Sequence, residues 1–293
     1  MFMRVLIVDN LHRQMTDLSA LARRLPGFRP SQWLRRERAI AALAVNNIVE
    51  NIHRLVRRPV TRVVHLSELS PSLIRDFAPD AIVLSGTLSD FDLYEPRLLA
   101  NLKAIARSTS LPILGICGGH QLIGMFWGAN VVTLDGDPPW KKREQRPIEY
   151  GYRFVKVIRP DPIFAGVNQT GEDPTGCLPA VLKVWQNHGL KLDGVPDGFV
   201  NLARSYLCDV QMLVKRSEGQ LIYTVQFHIE KSFEDWHRHS RFWTHRVESR
   251  DGRIIFENFL RQALKHRGRE HQLIEERGSP QCTRNDSSPQ RSM

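Results

Sequence analysis

Gly115-Ile-Cys-Gly-Gly-His-Gln121, entered from the apolar run Leu111-Pro-Ile-Leu114, decides how this chain is read. The pattern is a strand that stops abruptly, with a cysteine at its tip and small residues on either side. Gly-x-Cys-x-Gly is the thiol form of a nucleophile elbow, a strand-to-helix turn that lifts one side chain out of the sheet. Glycine flanks the cysteine because so sharp a turn brings backbone segments too close for a Cβ. The segment His120-Gln-Leu-Ile-Gly-Met-Phe-Trp127 can follow as a helix whose N-terminus points at the sulfur. That field favours the thiolate, the nucleophilic form. The competing reading is a core cysteine beside a tight turn.

Outward from the elbow, short apolar runs alternate with helical patterns. Val5-Leu-Ile-Val8, Val60–Val64, Ala81–Leu84 and Leu111–Ile116 read as strands. Between them, Leu18–Leu25 reads as a helix ended by Pro26-Gly27, and Ser31–Arg58 as a long one with Ser31 as N-cap. Arg54, Arg57 and Arg58 would sit in the last turns of that helix, where cations suit the dipole. Ser70 or Ser72 opens a short helix, and Glu95–Ser108 forms another. This rhythm, with continuously apolar strands, predicts an α/β fold: an open, mostly parallel twisted sheet flanked by helices. Ligands of such sheets bind at the carboxyl ends of strands, where Cys117 and the loop Ser85–Asp90 both fall. The second half is richer in strands (Tyr152–Ile158, Leu182–Trp185, Leu202–Leu207, Met212–Lys215, Leu221–Phe227) and closes on an amphipathic helix, Arg253–Leu264.

The chain has 293 residues, 42% hydrophobic and 25% charged, enough for one large domain or two small ones. No apolar run approaches the roughly 20 residues that span a bilayer, so no membrane partner is expected. The N-terminal apolar stretch is too short for a signal peptide and is closed by Asp9. Cys117, Cys177, Cys208 and Cys282 show neither metal nor disulfide spacing, which points to a reducing cytoplasm and to no metal. The net charge is +10, and much of the excess lies in Arg23 to Arg62. Without a zinc-finger, helix-turn-helix or aromatic RNA-binding pattern, nucleic acid is not an expected partner.

A cysteine nucleophile needs a histidine, itself oriented by a carboxylate or amide. His228 and Glu230 follow the apolar run Leu221–Phe227, and residues two apart on an extended chain share a face. Two solvated polar residues at a strand end is the alternative. Taken together, Gly115-Ile-Cys-Gly-Gly-His-Gln121 and Val225-Gln-Phe-His-Ile-Glu230 closely resemble the class I (triad) glutamine amidotransferase domain. Val5-Leu-Ile-Val-Asp-Asn10, Leu84-Ser-Gly86, Glu149-Tyr-Gly151, Trp185-Gln-Asn-His-Gly189 and Phe256-Glu-Asn-Phe-Leu260 fall in that family's order, over most of residues 3–264.

The resemblance implies a flavodoxin-like fold with Cys117 as nucleophile, His228 as general base and acid, and Glu230 as its orienting carboxylate. It implies an oxyanion hole from the N–H groups of Gly118 and of Gly86-Thr87. Gln121 and the stretch Asn187-His188-Gly189-Leu190 would hold the amino-acid end of glutamine. It also implies thiolate attack on the carboxamide, release of ammonia and hydrolysis of a γ-glutamyl thioester, with no cofactor. The partner would be a separate ammonia-accepting synthase. A γ-glutamyl hydrolase acting on a γ-glutamyl conjugate, and a catalytically silent binding homologue, are the rival readings. The chain departs from the family pattern at Thr87-Leu88, which stand for Gly-Pro, and at Ile229, which stands for a proline between His and Glu. The domain is expected over 1–265, with insertions near 31–58 and 231–250 and a disordered tail over 266–293. The arginine-rich insertion reads as a solvated or docking face. The second, with Trp236, His237, His239, Phe242, Trp243 and His245, reads as a surface segment or lid, not a metal site.

Overall fold

Strand β1 (Phe2–Asp9) carries a run of buried apolar residues, Val5 to Val8, whose side chains divide between two cores. Met3, Val5 and Ile7 face one core, and Leu6 and Val8 face the other. Such two-faced burial requires helices on both sides of the sheet. The computed structural model describes residues 2–141, 143–167, 181–217, 219–231 and 250–268. Most of the segment 231–250 and of the tail 266–293 therefore lies outside the described residues, as do Cys177 and Cys282.

A short helix α1 (Ala20–Arg23), with the Ser19 side chain accepting from the Ala22 amide, precedes the long helix α2 (Pro30–Leu55). Both ends of α2 differ from the sequence reading. Pro30 takes the first helical position, where its missing N–H costs nothing, so the N-cap is Arg29 and not Ser31. At the other end Pro59 disfavours a helical conformation for Arg58. The helix stops at Leu55, and Arg58 opens β2 (Arg58–His65) instead of lying in a last turn. β1 and β2 pair in parallel, and a parallel pair needs a crossover, which α2 supplies through Ala41, Val45, Ile48 and Ile52.

The chain continues through α3 (Pro71–Phe77), N-capped by Ser70, β3 (Ala81–Leu84), α4 (Pro96–Ser108), β4 (Ile113–Ile116) and α5 (Gly118–Phe126). There follow β5 (Val131–Thr133), β6 (Glu149–Val157), β7 (Val181–His188), β8 (Leu190–Leu192), β9 (Val200–Arg204), β10 (Met212–Ser217), β11 (Gln220–Val225) and α6 (Arg250–His266). One nine-stranded sheet runs in the order β2-β1-β3-β4-β11-β10-β9-β6-β7. Its first five strands are mutually parallel, and the remaining four are added antiparallel. The parallel part has the flavodoxin-like order, which places the loops after β1, β3, β4 and β11 along one carboxyl edge. Helices α2 and α6 cover one face, with Ile48, Phe256 and Phe259, and α3 to α5 cover the other.

Strands β5 and β8 form a separate antiparallel pair that the sequence reading missed. Among the described residues, no helix is long and apolar enough to cross a membrane.

Candidate active site

Cys117 follows β4 and caps α5 with φ 52° and ψ −102°, a left-handed conformation for a residue that is not glycine. Such backbone costs on the order of 1–3 kcal/mol and persists only where the surroundings impose it. Here the Cys117 amide donates to Val225 O at 2.8 Å, tying the elbow to β11. A Cβ on Gly115 would lie 2.7 Å from Gly119 O, and one on Gly118 2.1 Å from Thr87 Oγ1. The glycines of the motif are thus required by close approach, as the sequence pattern implies. The start of α5 at Gly118 directs its free N–H groups and the positive end of its dipole toward the sulfur.

Beyond β11 the chain bends at Gln226 and Phe227, and His228 forms an isolated bridge to Trp185 before a turn at Ile229 and Glu230. The His228 amide donates to Trp185 O at 2.8 Å, which fixes the imidazole beside the elbow. His228 Nδ1 and Glu230 Oε1 lie 2.6 Å apart, so the two side chains meet, though through a turn at Ile229 and Glu230 and not along an extended strand. With Nδ1–H given to the carboxylate, the buried Nε2 has no hydrogen-bond partner among the described residues. A Cβ placed on Gly86 would be 3.7 Å from both Cys117 Cβ and His228 Cε1, so both side chains converge over that glycine.

Burial alone disfavours the His228 imidazolium, but the Glu230 carboxylate and the Cys117 sulfur outweigh it and hold the pKa well above 6.5. The nearer histidine in sequence, His120, is buried against Thr224 and pushed down to about 3, chiefly by burial. It stays neutral and cannot carry a proton for the thiol. Cys208 is likewise no rival, since burial pushes its thiol up to about 12.

The raised His228 pKa has a consequence for stability. A histidine whose folded pKa exceeds its unfolded value stabilises the fold fully below about 6.5, and this is lost as pH rises through the folded value. Thermal melts of wild type and His228→Gln from pH 6 to 9 should show the wild-type advantage shrinking toward high pH. An advantage that grows with pH would contradict the assignment.

The loop after β3 faces the elbow. Its root is fixed by Asn10, whose amide donates to Ser85 Oγ at 3.0 Å and whose Nδ2 donates to Ser85 O at 2.7 Å. Tyr94 in turn donates to Asn10 O. Thr87 stands where the family has glycine, yet among the described non-glycine residues only Ala78 and Cys117 have positive φ. Threonine is therefore no strain here. The Thr87 amide nitrogen lies 2.5 Å from where a Gly118 Cβ would be, so the two candidate oxyanion donors, Thr87 N–H and Gly118 N–H, are adjacent.

The stretch 187–190 leads from β7 into β8. Asn187 O is 4.0 Å from Cys117 Sγ, while His188 is buried between Glu149 Oε2 (3.1 Å) and Leu190 O (2.8 Å). The Arg146 side chain crosses closely over Gly189. Gln121 is buried, and its Nε2 donates to Leu190 O and to Gln226 Oε1, both at 2.9 Å. The backbone of this stretch thus reaches the cysteine, while the side chains of Gln121 and His188 brace it from beneath. Sequence reasoning assigned no role to Gln226, whose Nε2 points at Cys117 Sγ at 3.6 Å. A polar residue inside an apolar run was the available signal. Among the described residues, no group of three or more His, Cys, Asp or Glu could hold a metal ion.

The model of the family described as glutamine amidotransferase class-I matches residues 44–247. A GMP synthase (glutamine-hydrolyzing) of Ralstonia pickettii is 30% identical over 220 residues, covering 73% of this chain and 34% of that protein. The corresponding protein of Cupriavidus necator is 30% identical over 190 residues, covering 63% and 31%. The chain thus spans about a third of the length of these curated relatives. Among solved structures, a protein from Thermoplasma acidophilum assigned as a GMP synthase subunit has a TM-score of 0.58 at 24% identity, covering 91% of this chain and 96% of that one. A glutamine amidotransferase from Thermotoga maritima aligns with a TM-score of 0.51 at 19% identity, covering 94% and 97%.

Proposed function

From the premise that the chain belongs to the class I glutamine amidotransferase family, we propose that it hydrolyses the side-chain amide of glutamine and passes the ammonia to a separate synthase. The observation that carries this reading is the strained Cys117 at the head of α5 beside a His228–Glu230 pair 2.6 Å apart. The Cys117 thiolate attacks the amide carbon, and the carbonyl π electrons move onto oxygen. The N–H groups of Gly118 and of Gly86-Thr87 receive that oxyanion. Donors already in place need no reorganisation as charge develops, and each is typically worth about 3–4 kcal/mol of barrier.

The His228 imidazolium then gives its Nε2 proton to the leaving nitrogen, the C–N bond breaks, and ammonia departs. The γ-glutamyl thioester is attacked by water, which His228, now neutral, deprotonates. Collapse of the second tetrahedral adduct releases glutamate and the sulfur. Glu230 holds the imidazole with Nδ1–H inward throughout, and keeps its charge compensated. The backbone of Asn187 to Leu190 takes the amino-acid end of the substrate, with Gln121 and His188 fixing that backbone. A free nucleophilic thiol suits a reducing compartment, which supports a cytoplasmic location.

The relatives are named for a synthase that hydrolyses glutamine, which supports a synthase as the acceptor of the ammonia. The test is ammonia release from glutamine, measured beside amine release from γ-glutamyl conjugates, with and without synthases as acceptors. Turnover of glutamine is expected, rising when the acceptor is present. Turnover of conjugates alone would replace the proposal with a γ-glutamyl hydrolase. Inactivity on both substrates under every condition would leave a binding homologue.

A further inference from the structure

Helix α2 carries its buried face on Ala41, Val45, Ile48 and Ile52, yet Glu37 and Asn51 are just as deeply buried, at 2% and 3% exposure. A polar side chain kept on a buried stripe costs stability unless its hydrogen bonds are met. Both are met, and by the two halves of the candidate site. Asn51 Nδ2 donates to Glu230 O at 2.8 Å, while also donating to Asn47 O within the helix. Glu37 Oε1 accepts from Ser89 Oγ, two residues past Thr87, and Glu37 Oε2 accepts from the His12 amide at 3.3 Å. The His12 imidazole closes the group, with Nδ1 3.4 Å from Glu37 Oε1. Fourteen residues separate Glu37 from Asn51, about 21 Å along a helix axis.

We infer that α2 is a strut that sets the catalytic geometry from both ends: Asn51 positions the Glu230 main chain and hence the His228–Glu230 pair, and Glu37 positions the Thr87–Ser89 loop. Both are positioning residues, since neither touches the reacting atoms. The inference rests on the proposed roles of the triad and of the oxyanion loop. A rigid helix spanning both contacts keeps the base and the oxyanion donors in register around Cys117. Loss of either contact frees one half only. Without the Asn51 amide, the Glu230 main chain can shift, the carboxylate supports the imidazolium less well, and the Cys117 thiolate forms at higher pH. Without the Glu37 carboxylate, Ser89 is released and the loop loosens, while the sulfur and histidine keep their mutual charge.

Three readouts on the full chain separate these effects: the pH midpoint of Cys117 alkylation by iodoacetamide, hydrogen exchange of the peptide spanning 85–90, and glutamine turnover. The first two need no substrate, so a protein that hydrolyses no glutamine would sink the proposed function while leaving the strut testable. Asn51→Leu, close to isosteric, is expected to raise the alkylation midpoint by at least about half a pH unit with unchanged exchange at 85–90. Glu37→Leu is expected to speed that exchange several-fold at an unchanged midpoint, and Glu37→Gln, which keeps the acceptor oxygen, to restore it. In an active protein, both leucine variants lower kcat at least about tenfold, with KM within twofold. Should a leucine variant not fold, Asn51→Ser and Glu37→Ala carry the same expectations. Identical responses from the two positions, or wild-type values from both, would overturn the strut.

Discussion

A Cys117→Ala protein is expected to release ammonia from glutamine on the order of 10⁴- to 10⁶-fold more slowly than wild type, and His228→Ala nearly as slowly. The double variant should be no slower than Cys117→Ala. Residues that act as one unit are not additive: without the sulfur there is no thioester, and the imidazole has no proton to manage. The structure supports such a unit because Cys117 and His228 converge over Gly86, and because Glu230 and the sulfur together hold the imidazole charged against the effect of burial. His120, one turn from Cys117 and kept neutral at about 3, supplies the internal control. His120→Gln should retain turnover within about tenfold, since its ring serves Thr224 and not the substrate. A His120 variant as slow as His228→Ala would reassign the base.

How much of this was legible in the sequence depends on where each signal resides. The elbow is local: a run of apolar residues, a cysteine and glycines at fixed offsets encode strand, turn and helix within a dozen positions. His228 and Glu230 are legible as a pair because they lie two residues apart, although the structure brings them together through a turn and not through the period of an extended chain. Their meeting with Cys117 is not local, and only the resemblance joined the two motifs before the sheet order did. The flavodoxin-like half was readable because each βα unit carries its own period.

Other features depend on partners far off in sequence. Strands β5 and β8 are three residues each, too short for any period, and exist because Val131 meets Leu192. Helix α2 reads as an arginine-rich insertion when its exposed face is weighed. Its buried stripe, with Ala41, Val45, Ile48 and Ile52 against β1 and β2, makes it the first crossover. Glu37, Asn51 and Gln226 carry the same lesson. A buried polar side chain gives no sign in the sequence of what it bonds, and each of these three bonds something remote.

The second large effect is expected at Gly118. A Cβ there would lie 2.1 Å from Thr87 Oγ1, 2.5 Å from Thr87 N and 2.6 Å from Thr87 Cβ, so even alanine cannot be accommodated without moving the loop. Because Thr87 N–H and Gly118 N–H are the proposed oxyanion donors, that movement separates the pair that must close on one oxygen. Gly118→Ala is therefore expected to lower kcat by about 10²- to 10³-fold, the usual cost of losing one such donor. KM should change little, since the ground-state carbonyl makes weaker use of the hole than the tetrahedral adduct does. Thr87→Gly removes two of the three nearest atoms and gives the backbone room to yield. Combined with Gly118→Ala it should recover about tenfold in kcat, a coupling of about 1.4 kcal/mol between residues in contact. Iodoacetamide alkylation of Cys117 should proceed at the wild-type rate in all three variants, since His228 and Glu230 are untouched. If Gly118→Ala slows alkylation as much as turnover, the substitution has disturbed the elbow itself. If the double variant recovers nothing while alkylation stays normal, Thr87 does not contribute to the oxyanion hole, and the second donor must be sought at Gly86.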